Sequence, residues 1–370
     1  MTQPISRFWQ RSLASGFLAA LMTSLCLGSG CNTLEPAPPS SAEELQTQPL
    51  SPLPLRALAQ QRRLQIGTAV QVKPLQQEAP YRQILAREFN QITTENAMKF
   101  RVIHPKPDRY DFTDADQIVR FAQTHRMAVH GHAMVWYRTQ PDWLTQGEWT
   151  RQTLMPVLKD HIRTVVRQYR GRVQSWDVVN EAIDDQGNLR DNLWLRVIGP
   201  EYIAIAFQEA HAADPKARLF YNDYGGEEVG KKSDAIYDLV KTLRDQGVPI
   251  HGVGLQMHKT IKRPPKFDRI HKNLQRLQAL GLDVRITEMD VQIHGGQGNL
   301  TQKLHAQAQV YQQILKLCLN APNCKALTVW GLSDQHSWIP EFFKRPDAPL
   351  LFDSAYQPKP AYNALKALLQ

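Results

Sequence analysis

Cysteine is scarce: the 370 residues contain four. None stands in a Cys-x-x-Cys spacing and no His-Glu-x-x-His segment occurs, so the metal sites those motifs announce are excluded. No Gly-x-Ser-x-Gly elbow is present, which removes one class of serine hydrolase. No glycine-rich phosphate turn follows the first candidate strand, so a dinucleotide-binding reading has no anchor. The formal charge is +9, yet no Lys/Arg run is dense enough to favour nucleic acid, and a soluble basic surface accounts for the excess. No internal repeat and no second folded domain is visible, and neither a cofactor nor a metal is expected.

Long apolar runs are missing except near the start, where Arg7 and Arg11 precede Phe17 to Leu27 and then Gly28, Ser29 and Gly30. Charged residues, a short apolar stretch and a small-residue boundary have the form of a secretory signal, so residues 1–30 are assigned to one and the protein is expected to be secreted or held in the periplasm or cell envelope. The run is too short to span a bilayer comfortably. Cys31 resembles the lipid-modified cysteine of bacterial lipoproteins, but the leucine usual three residues before it is Leu27, one position too early; a lipid anchor there is the one membrane contact considered. Residues 31–54, rich in Pro, Ser, Gln and Glu, read as a solvated linker. The folded domain is placed at 55–370, and a monomer is expected. With Cys26 and Cys31 set aside, Cys318 and Cys324 are a disulfide candidate in an oxidising compartment, the alternative being two buried thiols.

Beyond the linker, short β-branched and aromatic runs alternate with segments of helical period. The strand candidates are Leu64 to Val70, Phe89 to Thr93, Met127 to Val135, Val173 to Asn180, Arg218 to Asp223, Gly252 to Met257, Val284 to Met289 and Ala326 to Trp330. Between them, Leu154, Leu158, Ile162, Val165 and Tyr169 recur at spacings of three or four, as do Leu304, Ala308, Tyr311, Leu315 and Cys318. Eight βα units predict an α/β fold of the closed (β/α)8, or TIM, barrel type, in which chemistry gathers where the strands end.

The fourth candidate ends in Asn180-Glu181 and the seventh in Glu288-Met289-Asp290. Strands four and seven face one another across a barrel mouth, so the two carboxyls converge. Such a pair can cleave a glycosidic bond without metal: one protonates the leaving oxygen and the other meets the oxocarbenium-like centre from the opposite face. Mutual repulsion and desolvation raise the pKa of one, while hydrogen bonds keep the other ionised.

The segments Trp176-Asp177-Val178-Val179-Asn180-Glu181-Ala182 and Ile286-Thr287-Glu288-Met289-Asp290-Val291 resemble the acid/base and nucleophile signatures of glycoside hydrolase family 10, the endo-β-1,4-xylanases. Thr94 to Phe100, His130 to Trp136, Asn222 to Tyr224, Gly254 to His258, Thr328 to Asp334 with Ser337-Trp338, and the C-terminal segments around Pro349 and Pro360 extend the resemblance in the right order. It implies retaining hydrolysis of xylan, with Glu181 as acid/base, Glu288 as nucleophile and carboxyls about 5 to 5.5 Å apart. By the same resemblance Asn180 bonds the sugar 2-hydroxyl, and His258, with Gln256 beside it, holds the nucleophile. Glu95, Asn96, Lys99 and His132 line the glycone side, and Trp136, Trp330 and Trp338 offer flat faces to sugar rings. Two positions depart from the family pattern. Tyr137-Arg138 stands where a histidine follows the third-strand tryptophan, and Ile339 where an arginine follows Ser-Trp. A β-1,4- or mixed-linkage glucanase and a non-catalytic sugar-binding surface protein are the rival readings; xylan against glucan turnover, and binding without turnover, separate them.

Overall fold

The structure, a computed structural model, describes residues 50–370. The proposed signal, Cys31 and nearly all of the linker lie outside the described residues. Eight parallel strands close into a barrel: β1 Gln65–Val70, β2 Gln91–Thr94, β3 Ala128–Gly131, β4 Ser175–Asn180, β5 Arg218–Asp223, β6 Gly252–Leu255, β7 Asp283–Gln292 and β8 Cys324–Val329. Closure is made by β1 against β8, with Gln65 opposite Ala326 and Thr68 opposite Val329. Such strands are covered on both faces, and eight consecutive residues of β7 are buried.

Helix α1, Leu55–Gln61, precedes the barrel. The helices α2 Ala79–Glu88, α3 Thr113–Thr124, α4 Arg151–Gln168, α5 Tyr202–Ala213, α6 Lys231–Asp245, α7 Phe267–Ala279, α8 Leu300–Leu319 and α9 Pro360–Leu369 form the outer ring. Thr150 starts α4 by accepting from the Thr153 amide, and Asn299 does the same for α8 through the Gln302 amide. Leu154, Leu158, Ile162 and Val165 form the buried stripe of α4, and each such side chain stabilises the fold by about 2 kcal/mol. Cys318, at the end of α8, is joined by a disulfide to Cys324 at the start of β8.

Two strands stop two or more residues earlier than the sequence pattern predicts, and both stops shape the cleft. β3 ends at Gly131 instead of Val135. A Cβ at Gly131 would lie 2.0 Å from the Trp176 ring, and from there the chain turns through a cis His132–Ala133 peptide before Val135–Trp136 pairs with Val179 and Asn180. β6 ends at Leu255 instead of Met257, because Met257 takes a left-handed φ of 67°. His258–Thr260 then pairs with Asp290–Gln292, which lengthens β7 past the predicted Met289. His132 at the first break and Gln256 and His258 at the second line the cleft at the barrel mouth.

Candidate active site

Beneath the mouth the barrel interior is polar. Gln91 donates to the Thr328 hydroxyl at 3.1 Å and accepts from the Arg285 guanidinium. Burial draws the Arg285 pKa down to about 10, against the pull of the Asp177 and Asp283 charges. Asp177 is fully buried between His130 Nε2 at 3.0 Å and His132 Nδ1 at 2.9 Å. Burial alone would raise its pKa, but the two histidines hold it well below the usual carboxylate range. His132 is thereby fixed with its ring at the cleft floor, 3.9 Å from Glu288 Oε1.

Glu181, just past the end of β4, and Glu288, within β7, both line the cleft, each 7% or less exposed. Their backbones are tied to neighbouring segments: the Glu181 amide donates to the Asn222 carbonyl of β5 at 2.9 Å, and the Glu288 amide to the carbonyl of Gln256, just past β6, at 3.0 Å. Glu181 sits at a left-handed φ of 57°, where the chain leaves β4; non-glycine residues rarely hold that conformation, and when they do it marks sites that surrounding structure over-determines.

The two carboxyls have different company. Glu288 accepts from Asn222 Nδ2 at 2.7 Å and lies 3.4 Å from His258 Nε2. His258 contacts Asp290 through Nδ1 at 2.9 Å, and Trp338 Nε1 donates to the same Asp290 oxygen at 2.9 Å. Burial opposes charge on His258, but Asp290 and Glu288 outweigh it and push the imidazole up to about 10, so it is an imidazolium at neutral pH. For Glu288 burial again acts upward and is overcome, by the His258 hydrogen bond first and then by the His132 and His258 charges; its pKa lies below the ordinary value. Glu181, by contrast, accepts side-chain hydrogen bonds from amides among the described residues: Gln256 Nε2 donates to it at 3.1 Å and Asn180 Nδ2 at 3.4 Å. One carboxylate held ionised beside another with no cation in ion-pair distance among the described residues can divide nucleophile and proton-transfer work.

Asn222 links the halves. It donates to Glu288 and, at 2.9 Å, to Asn180 Oδ1, while its own oxygen accepts from the Thr287 hydroxyl at 2.7 Å, which fixes the amide orientation. Gln256 also donates to Asn180 Oδ1 at 3.3 Å. The bridge needs a glycine beside it: a Cβ at Gly254 would lie 2.2 Å from Asn222 Oδ1.

The cleft has a volume of about 870 Å³, and all twelve residues predicted from sequence line it. On one side Gln71 Nε2 donates to Glu95 at 3.0 Å, Asn96 donates to Glu95 at 3.3 Å, and Lys99 donates to Asn96 at 2.9 Å. Burial raises the Glu95 pKa and lowers that of Lys99, whose ammonium stands 5.0 Å from the Trp136 ring centre. Trp330 meets His132 edge-on at 5.2 Å between ring centres, and Trp338 meets His258 likewise. Ile339 is fully buried and turned away from the cleft, whereas Glu341, Phe342 and Phe343 of the same short helix line it. Four residues that sequence reasoning did not assign hold the site together: Asn222, Asp290, Asp177 and Gln71. The first three stand inside the quoted strand-end motifs, and that position was the available signal.

The sequence profile of Glycosyl hydrolase family 10 matches residues 54–368. Endo-1,4-beta-xylanase B of Thermotoga neapolitana is 44% identical over 320 residues, covering 86% of this chain and 92% of that protein. Among solved structures, xylanase 10B from Thermotoga petrophila RKU-1 in complex with xylobiose superposes with a TM-score of 0.84 at 44% identity, over 87% of this chain and 98% of that one. Native xylanase 10B from Thermotoga maritima gives 0.83 at 45% identity, over 86% and 98%. With the barrel, the opposed glutamates and these matches in agreement, the chain belongs to glycosyl hydrolase family 10.

Proposed function

We propose that this chain is a retaining endo-1,4-β-xylanase in which Glu288 is the nucleophile and Glu181 the acid/base. The observation that carries the assignment is the unequal company of the two carboxyls: His258 Nε2 at 3.4 Å and the Asn222 amide on Glu288, against side-chain amide donors on Glu181 among the described residues. Glu288 attacks the anomeric carbon as protonated Glu181 delivers its proton to the leaving oxygen, and Glu181 as base then activates the water that frees the glycosyl-enzyme. The xylan substrate is supported by the relatives named above. Asn180, anchored through its oxygen by Asn222 and Gln256, is positioned to direct its amide at the sugar 2-hydroxyl, a contact that strengthens in the transition state. Glu95, Asn96, Lys99 and His132 supply hydrogen bonds to the glycone, and Trp136, Trp330 and Trp338 its apolar walls.

The test is reducing-sugar release from linear β-1,4-xylan by the protein beginning at Leu55, beside Glu181→Ala and Glu288→Ala variants and a β-glucan control. Turnover of xylan that disappears in both variants, with β-xylose ends formed first by NMR, is expected. Turnover of glucan alone would reassign the substrate, and α-anomers formed first would overturn retention. We further propose export from the cytoplasm, supported by the charged and apolar pattern of residues 1–30 and by the Cys318–Cys324 disulfide.

A further inference from the structure

Among the described residues three lysine and arginine side chains line the cleft, and two of them are balanced. Lys99 stands in the field of Glu95, Glu288 and Glu181, and Lys259 pairs with the buried Glu227 at 2.8 Å. Arg138, exposed at the cleft edge, has no carboxylate within ion-pair distance among the described residues. It is nonetheless held in place. Its Nε donates to the Tyr137 hydroxyl at 2.7 Å, and its guanidinium carbon lies 5.3 Å from that ring's centre. Tyr137 is in turn 4.7 Å from the Arg190 guanidinium. Arg190 is fastened to the wall that carries the acid/base, through the Glu181 carbonyl at 2.9 Å, the Ile183 carbonyl at 3.0 Å and the Tyr224 hydroxyl at 3.1 Å. The two terminal nitrogens of Arg138 make no hydrogen bond among the described residues.

We propose that Tyr137 and Arg138 form a subsite for an acidic branch, in which the Arg138 fork binds the carboxylate of a uronic acid carried on the xylan main chain. The inference rests on the xylanase reading and adds to it a preference among xylans. A neutral pyranose backbone offers hydroxyls, which amides and carboxylates already serve in this cleft; a planar guanidinium with both terminal groups free is matched in shape and charge by a carboxylate. The Tyr137 hydroxyl and ring limit the rotamers of Arg138 before substrate arrives, which reduces the ordering cost that exposed ion pairs normally incur. The +9 formal charge of the chain acts in the same direction, by concentrating an acidic polymer near the protein.

The experiment compares kcat/KM on glucuronoxylan with kcat/KM on the same polymer after chemical reduction of its carboxyls, which leaves the branch and removes the charge. For the wild-type enzyme the ratio is expected to exceed one, to fall by roughly five-fold in Arg138→Ala, and to fall toward one in added salt; Arg138→Lys is expected to restore part of it, since a point charge replaces the fork. A wild-type ratio at or below one, or an Arg138→Ala ratio equal to that of the wild type, overturns the proposal while leaving the xylanase reading intact. Failure of the wild type on linear, unbranched xylan overturns that reading, and the branch subsite with it.

Discussion

Replacing His258 by Gln tests the division of labour between the two glutamates. In the wild type His258 lies between two buried carboxylates, Asp290 at 2.9 Å and Glu288 at 3.4 Å. The substitution removes a positive charge and one charge-assisted hydrogen bond from Glu288, which keeps Asn222 at 2.7 Å and the more distant His132 at 3.9 Å. A hydrogen bond to a charged group contributes about 1.5 to 3 kcal/mol, equivalent to roughly one to two pKa units. Glu288 must be ionised to attack, and its folded pKa in the wild type is depressed, so the acid limb of activity is expected below the ordinary glutamate range. In the variant the pKa rises, the carboxylate is protonated at higher pH, and the acid limb moves upward by about one to two units. The assay is kcat/KM against pH with an aryl β-xylobioside, which reports the free enzyme. An acid limb that stays in place while activity falls uniformly at all pH values would refute the claim that His258 acts by holding Glu288 ionised.

Further expectations follow from the supports of the site. Gly254→Ala places a methyl against Asn222 and 2.9 Å from Thr287 Cγ2; displacing the amide that donates to Glu288 is expected to lower kcat by roughly ten- to a hundred-fold, with the far-UV circular dichroism spectrum as the control for folding. Asp177→Asn is expected to destabilise the barrel by about 3 kcal/mol near neutral pH. Because the folded Asp177 pKa is depressed, its contribution is complete above the unfolded value of about 3.9 and is lost as pH falls below it, so urea midpoints of variant and wild type should converge in acid. A double Cys318→Ser, Cys324→Ser variant opens a short loop and is expected to lose about 2 kcal/mol of stability; the melting temperature should fall, while kcat at room temperature is unchanged.

The barrel was legible because each strand carries a compact apolar run and each long helix a stripe of period near 3.6. The stops of β3 and β6 were not. Nothing local announces that Gly131 lies under the Trp176 ring or that Met257 turns left-handed, since both follow from packing against other strands. In the site, strand-end position and motif context located the glutamates and the cleft-lining residues. Asn222 escaped assignment because its importance lies in a contact with Glu288, 66 residues onward; an asparagine at a strand end has many cheaper explanations until the sheet closes. Arg138 was visible as a departure from a pattern, but only the structure shows that no carboxylate among the described residues stands within ion-pair distance of it.

The amide of Glu181 is fastened to a carbonyl of β5, and that of Glu288 to the carbonyl of Gln256 just past the end of β6. The pair of glutamates proposed to react is thus mounted on the chassis of the barrel, while Arg138, Phe342 and Phe343 belong to connections that run over its rim. Such a division makes the rim interchangeable: walls can be grafted, shortened or randomised to retune which polymer is accepted, with the spacing of the two carboxyls carried over unchanged.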